Sequence, residues 1–136
     1  MGIVTHARNR RDADLEAAIA LPDGAGTVNS ASIDLGAGDV HISGAEIDIH
    51  GPVLAFANFG NGDTMVYDLQ TSTDDDTFTD LYSAVLTQTG AGGVGAAAAD
   101  VRVGVGSEMA RYLRVQITLT GTGNNSGVNG EIRLLT

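Results

Sequence analysis

The stretch that decides the fold is A-R-Y-L-R-V-Q-I-T-L-T, residues 110–120. Its aliphatic residues occupy every second position from residue 113 onward: Leu113, Val115, Ile117 and Leu119. Alternation over this length indicates a β-strand with one buried face, because a helix would scatter these side chains around its circumference. Such a strand needs neighbours on both edges and a second apolar layer over its buried face. The stretch therefore predicts the central strand of a β-sheet core.

Shorter segments with strand-like patterns occur along the rest of the chain, separated by turn residues. The turns are rich in glycine, and Asn61-Gly62 is suited to a tight turn with positive φ. Residues 65–72 and 78–86 read as a hairpin. The other predicted strands lie at residues 30–35, 40–42, 47–50, 53–59, 101–105 and 131–135. About eight short strands without a long helix predict an all-β fold, an antiparallel β-sandwich of jelly-roll type.

Two segments of this pattern carry specific expectations. Residues 53–59 are apolar on both faces, which predicts an inner strand of the sandwich or a strand at an interface. Residues 90–99 contain almost only glycine and alanine and are predicted to form a long mobile loop.

The chain divides by composition into an extended N-terminal arm, residues 1–28, and a β-sandwich domain, residues 29–136. Residues 15–21 favour either a short helix or an extended segment packed on a surface. Two alternatives remain open for the arm. It is a frayed terminus, or it docks on a neighbouring subunit with Ile19 and Leu21 as anchors.

The chain is strongly acidic, with a net charge of −10, and its 7 basic residues are all arginine. Three of these arginines lie in residues 1–11, before the first acidic residue. An acidic body is repelled by nucleic acid and by anionic membranes, so neither is an expected partner. The absence of cysteine excludes disulfides and thiolate metal sites, and no apolar run has transmembrane length.

Three motifs resemble functional sites, but their contexts do not fit. Residues 90–95 match G-x-G-x-x-G, yet a dinucleotide site needs a βαβ unit around that motif. Asp74, Asp75 and Asp76 are adjacent rather than alternating, which favours an acidic hairpin tip over a calcium loop. Residues 124–126 match the glycosylation sequon, which matters only in a secretory context.

Side chains suited to catalysis are also sparse. His6, His41 and His50 lack the spacing of a zinc pair, and no G-x-S-x-G elbow is present. We therefore predict no catalytic, cofactor-binding or metal-binding residue, no cofactor and no enzymatic activity. Arg111 and Arg114 flank Tyr112, and Arg114 lies on the polar face of the predicted central strand. It is expected to contact a carboxylate, either within the chain or across an interface.

Several phrases together resemble a known family. They are N-S-A-S-I-D-L-G at 29–36, Y-D-L-Q-T-S-T-D-D-D-T-F-T at 67–79 and R-Y-L-R-V at 111–115. Their order and spacing are similar to those of the small cementing, or decoration, proteins of tailed-phage capsids. The resemblance covers most of residues 29–136 and supplies no catalytic residue.

The resemblance implies a jelly-roll homotrimer on the outer capsid surface of a virion, made in the host cytoplasm, that binds the major capsid protein and clamps neighbouring capsomers. The sequence leaves one alternative of another class, a carbohydrate- or receptor-binding β-sandwich module of a phage tail fibre or a secreted protein. Sugar sites usually present exposed aromatic side chains, and this chain has only 3 Phe and 3 Tyr.

Overall fold

The computed structural model of the chain describes residues 11–35, 46–104 and 109–135, with side chains described from residue 16 onward. A single turn of 3-10 helix lies at Phe56–Asn58. The strands within the described ranges are β1 Arg11–Ala20, β2 Gly26–Asn29, β3 Ile33–Asp34, β4 Glu46–Gly51, β5 Thr64–Ser72, β6 Thr79–Thr89, β7 Ala99–Gly104, β8 Tyr112–Thr120 and β9 Asn129–Leu135.

These strands form two antiparallel sheets. Their orders are β1-β9-β4-β7 and β2-β8-β5-β6, and β3 also pairs with β8. The pairs are nested along the chain, because β1 pairs with β9, β2 with β8, β4 with β7 and β5 with β6. Nested antiparallel pairs shared between two sheets are the jelly-roll arrangement. The predicted all-β sandwich of this type is confirmed, with β2 and β3 together occupying one strand position beside β8.

β8 is the central strand that the sequence predicts. It pairs with β2 and β3 on one edge and with β5 on the other. The four aliphatic side chains at its alternate positions are all buried in the core: Leu113, Val115, Ile117 and Leu119. Burying one such side chain stabilises the fold by about 1.5–3 kcal/mol relative to leaving it exposed.

The opposite sheet covers this face with further aliphatic side chains. Ile47 and Ile49 of β4 and Ile132 of β9 are fully buried against the same cluster. Two aromatic side chains, Phe59 and Tyr67, also lie in the core. The core is otherwise aliphatic, as expected from a chain with no Trp.

The N-terminal segment differs from the predicted arm in its second half. β1 pairs with β9 in the four-stranded sheet, and β2 pairs with β8 in the five-stranded sheet. The side chains of Ile19 and Leu21 are buried in the core of their own chain, so they do not serve as anchors on a neighbouring subunit. The alanines around Ile19 weaken the strand pattern in the sequence, because alanine is common on both buried and exposed faces and so gives little difference in hydrophobicity between them. Residues 1–10 lie outside the described residues.

The strand predicted at residues 53–59 is wrong. This segment contains one isolated bridge, between Leu54 and Ala96, followed by the 3-10 turn. Leu54 and Phe59 point into the core, whereas Val53 and Phe56 are exposed. Residues 53–59 are thus a surface loop in which some apolar side chains pack into the core and the others are exposed.

Two other predicted features have different outcomes. The β5–β6 hairpin is confirmed, with a loop at residues 73–78 that contains the three adjacent aspartates. The short strand predicted at residues 40–42 lies outside the described residues.

Candidate functional site: an uncharged loop platform

Two loops, residues 52–62 and 90–98, lie side by side and form a surface that we call the loop platform. Leu54 and Ala96 exchange two backbone hydrogen bonds of 2.9 Å. A second connection runs from the amide of Gly62 to the carbonyl of Gly90 at 2.9 Å. The predicted loop at residues 90–99 is thus hydrogen-bonded to its neighbour at both ends.

Glycine is required where the two loops touch. A Cβ at Gly95 would collide with the backbone of Leu54 and Phe56, and the φ of Gly95 is +73°. A Cβ at Gly90 would collide with the carbonyl of Gly60. These contacts explain the first and last glycines of the G-x-G-x-x-G match, and Gly92 between them has a positive φ of +66°. The match follows an antiparallel strand and leads into β7 rather than into a helix. The motif has a packing role in this loop and lacks the surroundings of a nucleotide site.

A buried glutamine connects both loops to the core. The side-chain amide of Gln88 donates to the carbonyls of Pro52 at 2.8 Å and Ala97 at 2.9 Å. Its Oε1 accepts a hydrogen bond of 2.7 Å from the hydroxyl of Tyr67. Burial raises the pKa of Tyr67 above its usual range, so this hydroxyl stays protonated and donates at neutral pH. The platform therefore rests on a fixed polar support.

A second buried amide supports the platform from the side. Asn125 is 1% exposed, and its Nδ2 donates to the carbonyl of Asn58 at 2.9 Å. Its backbone amide donates to the carbonyl of Pro22 at 3.0 Å. Sequence reasoning missed both Gln88 and Asn125, because a buried amide in a β-rich chain has no local pattern that distinguishes it from a surface one.

The outward side of the platform is apolar and exposed. Val94 is 77% exposed, Val53 is 64% exposed and Phe56 is 49% exposed. Exposed alanines surround these three side chains: Ala55, Ala57, Ala91, Ala97 and Ala98. An apolar area of this kind, presented on an ordered backbone, is typical of a protein–protein contact surface.

No charged residue occurs within either loop, although the chain carries a net charge of −10. The acidic residues that follow each loop form hydrogen bonds within the chain. Asp63 accepts a 2.9 Å hydrogen bond from the amide of Gly60, and Asp100 lies 2.7 Å from Nδ1 of His50. The platform is thus an uncharged area on an acidic protein. The sequence signal that could have identified this surface is the absence of charged residues from both loops.

The outer face of the four-stranded sheet is, by contrast, heavily charged. Asp48 is 2% exposed and accepts a 2.7 Å hydrogen bond from Nε of Arg133. Arg102 approaches the same carboxylate at 4.0 Å and Glu46 at 3.8 Å. The positive charges of the two arginines compensate the buried carboxylate of Asp48, so its burial is accounted for by partners in the same chain.

The histidines do not form a metal centre within the described residues. His50 contacts Asp100, whereas His6 and His41 lie outside the described ranges. No group of three or more His, Asp or Glu side chains in the described part of the chain is placed to hold a metal ion.

The three adjacent aspartates lie at the acidic hairpin tip that the sequence predicts, and the carboxylate of Asp74 is bonded within that turn. Oδ1 of Asp74 accepts hydrogen bonds from the amide of Thr77 at 2.9 Å, from the hydroxyl of Ser72 at 2.8 Å and from the amide of Asp76 at 3.0 Å. These bonds hold the pKa of Asp74 below its usual value. The carboxylate of Asp74 therefore stabilises the conformation of the turn.

The two arginines beside Tyr112 have different partners. Arg111 binds Asp34 with both Nε, at 2.7 Å, and Nη2, at 2.8 Å, and these hydrogen bonds raise its pKa. Arg114 instead donates from Nε to Oε1 of Gln70 at 2.8 Å, and its guanidinium lies 4.0 Å from the centre of the Phe78 ring. The carboxylate contact expected of Arg114 is not found among the described residues, where Arg114 is held by an amide and an aromatic ring. Arg111 makes such a contact instead, with Asp34.

The sequon at residues 124–126 has its asparagine in a local turn, where Oδ1 of Asn124 accepts from the amide and the hydroxyl of Ser126. Among the described residues, no helix is long and apolar enough to cross a membrane.

No protein-family model matches the chain, and no curated protein matches it.

Proposed function

We propose that this chain is a structural virion protein, without enzymatic activity, that binds the outside of an icosahedral phage capsid as a homotrimer and cements neighbouring capsomers. Its partners are the major capsid protein and further copies of itself. Its place is the outer capsid surface of the virion, after synthesis in the host cytoplasm. The observation that carries the proposal is the loop platform, an ordered, uncharged and apolar surface on an acidic sandwich.

The platform favours protein contact over chemistry. Its large exposed side chains are aliphatic or aromatic, and its exposed asparagines, Asn58 and Asn61, are neither nucleophiles nor titratable groups. Binding surfaces owe most of their affinity to a few such anchors, and Phe56 with two neighbouring valines is an anchor group of this type. The rigid support from Gln88 lowers the ordering cost of an association.

The arrangement of the quoted phrases gives further support. The phrases at 29–36, 67–79 and 111–115 are far apart in sequence, yet they meet in the five-stranded sheet. Leu113 of β8 lies opposite Ile33 of β3 and Thr71 of β5, and Tyr112 lies opposite Ser72. The resemblance to decoration proteins thus rests on one continuous part of the sandwich rather than on scattered matches.

Decoration of a shell multiplies modest contacts. A trimer that touches several capsomers at once gains avidity, because each further contact forms at a high effective concentration. A small sandwich suits this role, since each chain of a trimer needs to contribute only part of the area of a standard interface with the shell.

The proposal is tested by heating shells from the same source that lack this protein. We expect shells saturated with the protein to rupture at a higher temperature than bare shells, because bound trimers hold neighbouring capsomers together. An unrelated acidic protein of similar mass is the control. An unchanged rupture temperature at saturating protein would exclude a cementing role.

A hydroxyl-rich depression favours the second candidate, a carbohydrate- or receptor-binding module. It has a volume of about 250 Å³ and is lined by Thr71, Ser72, Thr73, Asp74, Thr77, Thr79 and Ala110. Threonine hydroxyls are suitable partners for sugar hydroxyls, whereas Ser72 and Asp74 are bonded to each other within the turn. Saturable binding to a glycan array, lost on Thr79→Val, would favour this function over capsid decoration.

A further inference from the structure

We propose that the loop platform is the surface through which copies of this chain bind one another. This inference rests on the proposed function, and it assigns the homotypic contact to a particular place on the sandwich. The contact is centred on Val53, Phe56 and Val94, the three large exposed apolar side chains of the platform.

Charge identifies the occupant as a second copy. Two copies that meet bring together two chains of charge −10, so most mutual contacts cost electrostatic free energy. Residues 52–62 and 90–98 contain no charged side chain, and the flanking Asp63 and Asp100 are bonded within the chain. The platform is therefore a place where two copies approach with little like-charge repulsion.

The two loops that carry these side chains are packed directly on each other. Gly95 lies against the backbone of Leu54 and Phe56, and Val94 directly precedes it in the chain. The backbone hydrogen bonds between Leu54 and Ala96 fix this arrangement. A preformed apolar surface is a liability while uncovered, and a further copy is the partner made at the same time and in the same amount.

The test is sedimentation velocity of the full chain across a range of concentrations. We expect the sedimentation coefficient of the wild type to correspond to a trimer, with three times the chain mass of 13.9 kDa. Val94→Asp should raise the concentration at half-assembly by ~100-fold or more, because a carboxylate must be desolvated in the contact. Ala31→Asp is the matched control. It adds the same charge at an exposed position beside β2 and β3, at the opposite edge of the five-stranded sheet from β6, and it should assemble as the wild type does.

Circular dichroism checks that each variant keeps the β fold, and Val53→Asp supplies a second platform variant if Val94→Asp fails to fold. Salt gives an independent readout. Assembly through an uncharged surface should strengthen as salt screens the repulsion between acidic bodies, whereas assembly through ion pairs would weaken. Weakening by salt, or folded platform variants that assemble like the wild type, would overturn the inference.

Shell binding separates this inference from the proposed function. A wild type that is monomeric at all concentrations overturns the inference and assigns the platform to a different partner, even if the monomer still binds shells. A wild-type trimer that Val94→Asp dissociates, but that does not bind shells, supports the inference and contradicts capsid decoration.

Discussion

Leu113 and Ile117 carry the clearest prediction at the scale of single residues. Both are fully buried on β8 between the two sheets. Replacing either by alanine should lower the free energy of unfolding by about 2–5 kcal/mol, since the substitution removes buried methyl groups and leaves a cavity. Chemical denaturation with urea measures the change.

The control for these two substitutions is Thr120→Ala, at an exposed position of the same strand. It should change the free energy of unfolding by no more than about 0.5 kcal/mol. A cost near zero for the core variants, or an equal cost for the control, would contradict the assignment of the buried face.

At the scale of elements, the β5–β6 hairpin depends on Asp74. Its carboxylate accepts hydrogen bonds from Ser72, Asp76 and Thr77, and the bonds to the charged form lower its pKa. A lowered folded-state pKa means that the stabilisation is present above the ordinary value of 3.8 and is lost as the pH falls through the folded value. Asp74→Ala should therefore reduce the melting temperature at pH 7, with a difference from wild type that shrinks below about pH 4.

Asp76→Ala is the matched control, because Asp76 is exposed and contributes its backbone amide to the hydrogen bonds of Asp74. It removes the same charge from the same loop. An equal loss of melting temperature in both variants would show that the net charge, rather than the bonds to Asp74, shapes the hairpin.

Elements with a one-sided apolar pattern were predictable from sequence, and the others were not. β8 alternates strictly because one face is buried and the other is polar, so its period identified it. Residues 53–59 carry apolar side chains towards both the core and the surface, and the pattern alone cannot distinguish such a loop from an inner strand. β1 was missed because alanines weaken its alternation and because its partner, β9, lies more than 100 residues away.

The candidate site was only partly predictable for a related reason. The apolar character of residues 53–59 led to the hypothesis of an interface, which stays a prediction; Val53 and Phe56 are exposed, as a contact surface requires. The partner loop was not foreseen as part of the surface, because its glycines function through close backbone contacts between distant segments. The support from Gln88 depends on tertiary packing that no local pattern encodes.

At the scale of the whole molecule, the described surface includes two contrasting parts, a charged sheet face and the uncharged loop platform. The outer face of the four-stranded sheet carries a network of paired charges, including Asp48 with Arg133 and His50 with Asp100. The loop platform has none. In the self-association that we propose, a jelly roll with this division keeps free copies apart over the charged part of its described surface and lets them meet at the loop platform.

The measurement that tests the central claim most directly is co-sedimentation of the purified protein with shells from the same source that lack it. We predict saturable binding, with a stoichiometry fixed by the symmetry of the shell and with three chains in each bound unit. Absence of binding to intact shells would contradict the account and leave the sandwich as a module for another partner.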